Sequence, residues 1–125
     1  MRILGIDFGE RKLGLALSEG ELARPLGILN QENFESKIPK ICHDHEVGKI
    51  VIGLSEGAMA EETKAFGQIV GEVTNLPVAY WEETLTSQEA LRKMIEAGKS
   101  RTKRQKEEHA IAAALILQAY LDNAV

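Results

Sequence analysis

Apolar positions along this chain fall into short continuous runs near the N-terminus and into helical spacing further on. Residues 2–8 (RILGIDF) are a mostly apolar run and predict a strand. Residues 13–18 (LGLALS) alternate large and small side chains and predict a second, with Gly9-Glu10-Arg11-Lys12 as the hairpin turn between them. Residues 22–29 predict a third strand, which Pro25 places at a sheet edge because proline has no amide hydrogen to donate. Phe34, Ile38 and Ile41 then recur at helical spacing and predict a helix over 33–46. Residues 49–54 (KIVIGL) predict a buried strand. Residues 60–73 predict a helix whose stripe is Phe66, Ile69, Val70 and Val73, and residues 76–81 (LPVAYW) a further strand. The capping pattern Thr86-Ser87-Gln88-Glu89 opens a predicted helix over 86–97, closed by Gly98. Residues 99–105 read as a basic connector, and 107–121 as a final helix rich in Ala, Leu and Ile.

The resulting order is β-β-β-α-β-α-β-α-α. Strands joined by short loops pair antiparallel, and strands separated by helices pair parallel. The expectation is an α/β domain spanning 1–125, with a five-stranded mixed sheet and helices on both faces. Several α/β folds share this order.

Length and charge narrow the field. The 125 residues suffice for one core. No apolar run approaches the ~20 residues of a membrane helix, and the opening MRILGIDFGE lacks the features of a signal peptide. With a single cysteine, Cys42, no internal disulfide can form, and a reduced, cytoplasmic setting is expected. The net charge of −4 argues against a nucleic-acid binder when taken over the whole chain. Its distribution reverses that reading. Arg92, Lys93, Lys99, Arg101, Lys103, Arg104 and Lys106 lie in one stretch, opposed there by Glu96 alone. Such a segment can neutralise phosphates; with no aromatic residue interleaved, it does not imply base stacking. Its plainer reading is a solvated loop.

Two acidic sites stand out. Asp7 ends the first strand beside Gly9, at the kind of strand terminus where α/β ligand sites gather; it can also be a turn residue bonding its own backbone. Glu82 and Glu83 follow the strand 76–81, and if that strand is parallel to the first, their end meets Asp7 at one edge. Carboxylates converging there suit Mg²⁺, although an acidic pair before a helix also fits the helix dipole. The cluster Cys42-His43-Asp44-His45 is not a metal motif, since neighbouring helical residues diverge and zinc motifs use wider spacings. Cys42 reads as core, His43 and His45 as helix-end residues, and Tyr80 and Trp81 as packing residues.

Four segments carry a family resemblance. GIDFGERKLGLALS resembles the opening G-[LI]-D-x-G-x-[KR]-x-[IL]-G-[VL]-A of YqgF/RuvX proteins, and IVIGLSEG their V-V-G-L-P strand. LPVAYWEETLTS resembles L-P-V-x-x-x-D-E-R-L-[ST]-[ST], and IEAGKSRTKRQKEEHAIAAALILQAYL their closing stretch. They occur in order over almost the entire chain. The resemblance implies an RNase H-like fold related to RuvC-type resolvases and a metal-dependent nuclease acting on structured nucleic acid. The substrate it implies is the 5′ end of pre-16S rRNA, in ribosome biogenesis, with branched DNA (Holliday junction resolution) as the alternative. The implied catalytic and metal residues are Asp7, Glu83 and His109, around Mg²⁺ or Mn²⁺, for phosphodiester hydrolysis. Arg11, Lys12, Lys99, Arg101, Lys103, Arg104 and Lys106 are the candidate nucleic-acid contacts. The assembly is left open between monomer and homodimer.

The sequence departs from that pattern at instructive places. Thr84 and Glu82 replace the arginine and aspartate of D-E-R, and Ser55 the proline of G-L-P. His109 stands where the pattern has its third carboxylate. Imidazole is a poor Mg²⁺ ligand but suits Mn²⁺ and other transition metals, and it can carry protons near neutral pH. Helical spacing does not separate His109 from Glu108 as the residue facing the site. Two rival readings follow: a nucleic-acid-binding module whose chemistry has weakened, and a nucleotide-binding protein, since D-F-G-x-x-x-x-G at 7–14 also resembles the phosphate loop of actin- and hexokinase-like ATPases.

Overall fold

Strand β1 (Arg2–Phe8) turns at Gly9 into β2 (Lys12–Glu19), which turns again into β3 (Leu22–Asn30). Helix α1 (Phe34–Asp44) leads to β4 (Val47–Leu54), α2 (Met59–Thr74) to β5 (Val78–Glu82), and the last helix, α3, covers Arg101–Asn123. The computed structural model describes residues 1–54, 59–82 and 101–123, and residues 101–107 by their backbone only. The helix expected over 86–97, together with Ser55, Glu83, Thr84, Arg92, Lys93 and Lys99, lies outside the described residues.

The five strands form one sheet in the order β3-β2-β1-β4-β5. The first three pair antiparallel, as short connections require, while β4 runs parallel to β1 and β5 parallel to β4. Pro25 lies on β3 at the sheet edge, as its missing donor demands, and the β2–β3 ladder shifts there, skipping Leu26.

Strand alternation separates two cores. Leu4 and Ile6 of β1, Leu13, Leu15 and Leu17 of β2, and Ile50 and Ile52 of β4 face α1 and α2, where they meet Ile38, Cys42, Phe66 and Val70. On the other face, Ala16 meets Ala113, Ala114 and Leu117 of α3, with Ile3 and Leu121 packed alongside. The helices therefore flank both faces. Cys42 is buried, as expected of a core residue, and burial pushes its thiol up to about 11.

Two expectations are corrected. The buried stripe of α2 is Thr63, Phe66, Gly67 and Val70, whereas Ile69 and Val73 are exposed. Gly67 belongs to the stripe because the Tyr80 ring occupies the place a side chain would take. Residues 101–105 are not a connector but the first turns of α3. Lys and Arg are good helix formers, and the helix is propagated from its well-packed part without needing apolar residues in that stretch. No helix among the described residues is long and apolar enough to cross a membrane.

Candidate active site

Asp7 occupies the α3 face of β1, because Leu4 and Ile6 face the other way and the strand alternates. It pairs laterally with Gly14 of β2 and Gly53 of β4, and Gly53 pairs with Trp81 of β5. Asp7, Gly53 and Trp81 thus form one row at the carboxyl ends of three parallel strands. Beyond Trp81, β5 has one further residue, Glu82, which pairs with Leu54 on the opposite face. Glu83, the proposed partner of Asp7, is the first residue outside the described ones at this edge.

Helix α3 brings His109 to the row from the far end of the chain. The approach is close because Gly5, Gly9 and Gly14 offer no side chains to hold it off. A Cβ on Gly14 would collide with the His109 carbonyl and lie 2.9 Å from the Ala110 nitrogen; one on Gly5 would lie 2.8 Å from Leu117 Cβ and 3.2 Å from the Ala113 carbonyl oxygen. The His109 ring itself rests over Gly9, where a Cβ would stand 3.2 Å from its Cε1. The helix is pinned further along by Gln118, whose Oε1 accepts from the Ala23 amide at 2.9 Å and whose Nε2 donates to the Glu21 carbonyl at 3.0 Å. Lys49 donates to the Tyr120 hydroxyl, with its ammonium 5.0 Å from that ring's centroid, and Tyr120 meets Trp81 edge-on.

The result is a direct contact between residues 102 positions apart: His109 Nδ1 donates to Asp7 Oδ2 across 3.3 Å. The Asp7 side chain is 14% exposed and that of His109 44%. The hydrogen bond to Asp7 raises the His109 pKa above its usual value; partial burial opposes this, the charges of Asp7 and Glu108 add to it, and Lys12 subtracts. Glu108 is exposed. Helical spacing could not choose between these two residues; the contact chooses His109.

The pair fits a divalent ion. Two donors bound at about 2.1 Å to one ion stand about 3 Å apart in octahedral geometry and about 3.4 Å apart in tetrahedral geometry, and the observed separation is 3.3 Å. Among the described residues, no group of three or more His, Cys, Asp and Glu is assembled for a metal, so the pair could supply two ligands, the remainder coming from residues beyond these, water or substrate.

The candidate cationic contacts divide. Arg11 and Lys12 are exposed in the β1–β2 turn next to the pair. Gln31 braces that turn, its amide donating to the Arg11 carbonyl at 3.0 Å and its side chain to the Gly9 carbonyl. Arg101, Lys103, Arg104 and Lys106 lie on the turns of α3 that precede His109. What the sequence reading missed is the part played by Gly9 and Gly14. Their spacing was visible, but as a phosphate-loop pattern; in the structure the two glycines seat His109.

A family profile described as "RuvX: Holliday junction resolvase" matches residues 1–123. The chain belongs to this family. A protein of Syntrophomonas wolfei named "Putative pre-16S rRNA nuclease" is 38% identical over 98% of this chain and 94% of its own length. One of Clostridium beijerinckii with the same name is 38% identical over 98% and 96%. Among solved structures, RuvC of Thermus thermophilus superposes with a TM-score of 0.64 at 16% identity, covering 98% of this chain and 96% of its own. The Fowlpox virus resolvase, solved with Holliday junction DNA, gives 0.68 at 11% identity, over 100% and 99%. The mixed sheet of this RuvX-family chain is thus the RNase H-like fold of the RuvC-type resolvases.

Proposed function

We propose that this chain is a metal-dependent nuclease whose centre is formed by Asp7, His109 and Glu83, and whose substrate is the precursor of 16S rRNA. The observation that carries the reading is the contact of His109 with Asp7. It joins the two ends of a family-matching chain at the one sheet edge where three parallel strands terminate. The substrate comes from the relatives, which are named for pre-16S rRNA.

Asp7 is the fixed anionic ligand, since β1 holds it within the sheet. His109 is the neutral one, seated by Gly9 and Gly14, and Glu83 is the second carboxylate. When bound, a divalent ion supplies Lewis acidity at the scissile phosphate. Arg11 and Lys12 in the turn, and Lys99, Arg101, Lys103, Arg104 and Lys106 ahead of His109 in the sequence, are the residues that would hold the substrate phosphates.

The test is cleavage of an end-labelled RNA spanning the 5′ junction of 16S rRNA, with Mg²⁺ or Mn²⁺, by wild type and Asp7→Asn. Cleavage in the variant is expected to fall by at least about a hundredfold, the scale of losing one charge-stabilising contact to the transition state. Equal cleavage by a pure, folded variant removes Asp7 from the mechanism. A second substrate has an observation in its favour: the family is described by Holliday junction resolution, and the fold is that of junction resolvases. A four-way DNA junction in the same assay decides between them, and resolution by paired cuts also requires a dimer.

A further inference from the structure

We propose that the centre is selective for an ion that accepts nitrogen, Mn²⁺ in the cell's common set, over Mg²⁺, because His109 is itself a ligand through Nδ1. The proposal deepens the nuclease reading and rests on its assignment of the ion to Asp7.

Three observations carry it. The nitrogen nearest Asp7 is Nδ1, and its 3.3 Å separation from Oδ2 lies between the donor spacings of octahedral and tetrahedral ions, so a small approach of the two groups would let them share one. The ring is seated beside Asp7, its backbone lying on Gly14 and its Cε1 edge over Gly9. Glu108, the carboxylate that could have restored an all-oxygen set from the same helix, is exposed while His109 is turned to Asp7. Mg²⁺ is a hard ion that takes oxygen and keeps its waters, whereas imidazole raises affinity along the first transition row from Mn²⁺ onward. Replacing one carboxylate by imidazole also removes one negative charge from the set, which weakens a purely electrostatic ligand field for Mg²⁺ more than one with a nitrogen bond to offer.

The experiment uses the full chain, free of nucleic acid, and Mn²⁺ alone as probe. Mn²⁺ is titrated by electron paramagnetic resonance and displaced with Mg²⁺. The bound ion is then examined by pulsed measurement of ¹⁴N coupling, in wild type, His109→Asp and Asp7→Asn. Wild type is expected to show directly bound nitrogen, which His109→Asp lacks. The preference for Mn²⁺ over Mg²⁺ is expected to shrink by about tenfold or more in His109→Asp, and Asp7→Asn to lose the ion. Bound Mn²⁺ without nitrogen coupling in wild type, coupling that survives in His109→Asp, an unchanged Mn²⁺/Mg²⁺ ratio, or no binding at all overturns the proposal. The wild-type spectrum does not depend on any variant folding. Nitrogen-ligated Mn²⁺ in a protein that cuts neither RNA nor DNA junction refutes the nuclease reading alone. Asp7-dependent cleavage with an all-oxygen ion refutes the selectivity alone.

Discussion

His109 is held by opposing influences, and its titration reports them. In the metal-free protein the Asp7 hydrogen bond raises its pKa, against the effects of burial and Lys12. Asp7→Asn removes the charge and weakens the hydrogen bond but leaves the opposing influences, so the His109 midpoint, followed by imidazole NMR, is expected to fall in that variant. An unchanged midpoint would mean that the contact is not populated in solution. The sign for stability follows from linkage. A raised pKa means that the folded state favours the protonated ring, so the pair's contribution is complete below the ordinary histidine value near 6.5. It fades as pH rises through the raised one. Because the imidazole is nearly half exposed, solvent screening keeps this contribution small. If His109 Nδ1 binds an ion as proposed, ion affinity runs the opposite way, since a ligand nitrogen must be deprotonated: it is expected to increase with pH across the same interval.

At the scale of elements, α3 and the β1–β2 hairpin act as one unit, joined through Gly5, Gly14 and Ala16. Gly14→Ala places a methyl group inside the His109 carbonyl, and backbone cannot rotate away as a long side chain can. The expected cost is about 1–3 kcal/mol, typical of overpacking, read as a lower denaturation midpoint. It is expected to be accompanied by loss of the ion even where the fold survives, because the helix that carries His109 must lift. These elements were legible to different degrees. The five strands and their directions followed from apolar runs and connection lengths, and Pro25 marked the edge. Asp7 and His109 were assigned to one site from the family pattern, but their direct contact, and the choice of His109 over Glu108, were not readable, because no local rule links residues 102 positions apart. The α2 stripe was misjudged at Ile69 and Val73 because apolarity was read without knowing that Tyr80 fills the space over Gly67. The start of α3 was misjudged because a charged stretch was equated with a loop, although Lys and Arg are good helix formers.

Over the whole molecule, a net charge of −4 coexists with a basic stretch in the sequence ahead of His109 and with exposed Arg11 and Lys12 in the β1–β2 turn. On the proposed nuclease reading, an acidic body repels nucleic acid except where cations such as Arg11 and Lys12 meet it, which would orient the encounter. Affinity for RNA is therefore expected to fall steeply with salt. Arg11→Ala should reduce the slope of log K against log[salt] by about one while weakening all sequences alike; a fluorescence-anisotropy salt series measures it. A slope identical to wild type would place Arg11 away from the phosphates.

The distance in sequence between Asp7 and His109 has a consequence for how the protein comes into being. During synthesis the carboxylate emerges first, and the imidazole follows 102 residues later. A growing chain on the ribosome carries Asp7 for most of its elongation and cannot make this contact until α3 has left the exit tunnel and settled on the glycines of β1 and β2. A product cut short before α3 lacks His109 and the cover over Gly5, Gly14 and Ala16 together. On the proposed assignment unfinished copies lack a residue of the centre, and the contact of Asp7 with His109 is also a sign that the chain has been completed through α3.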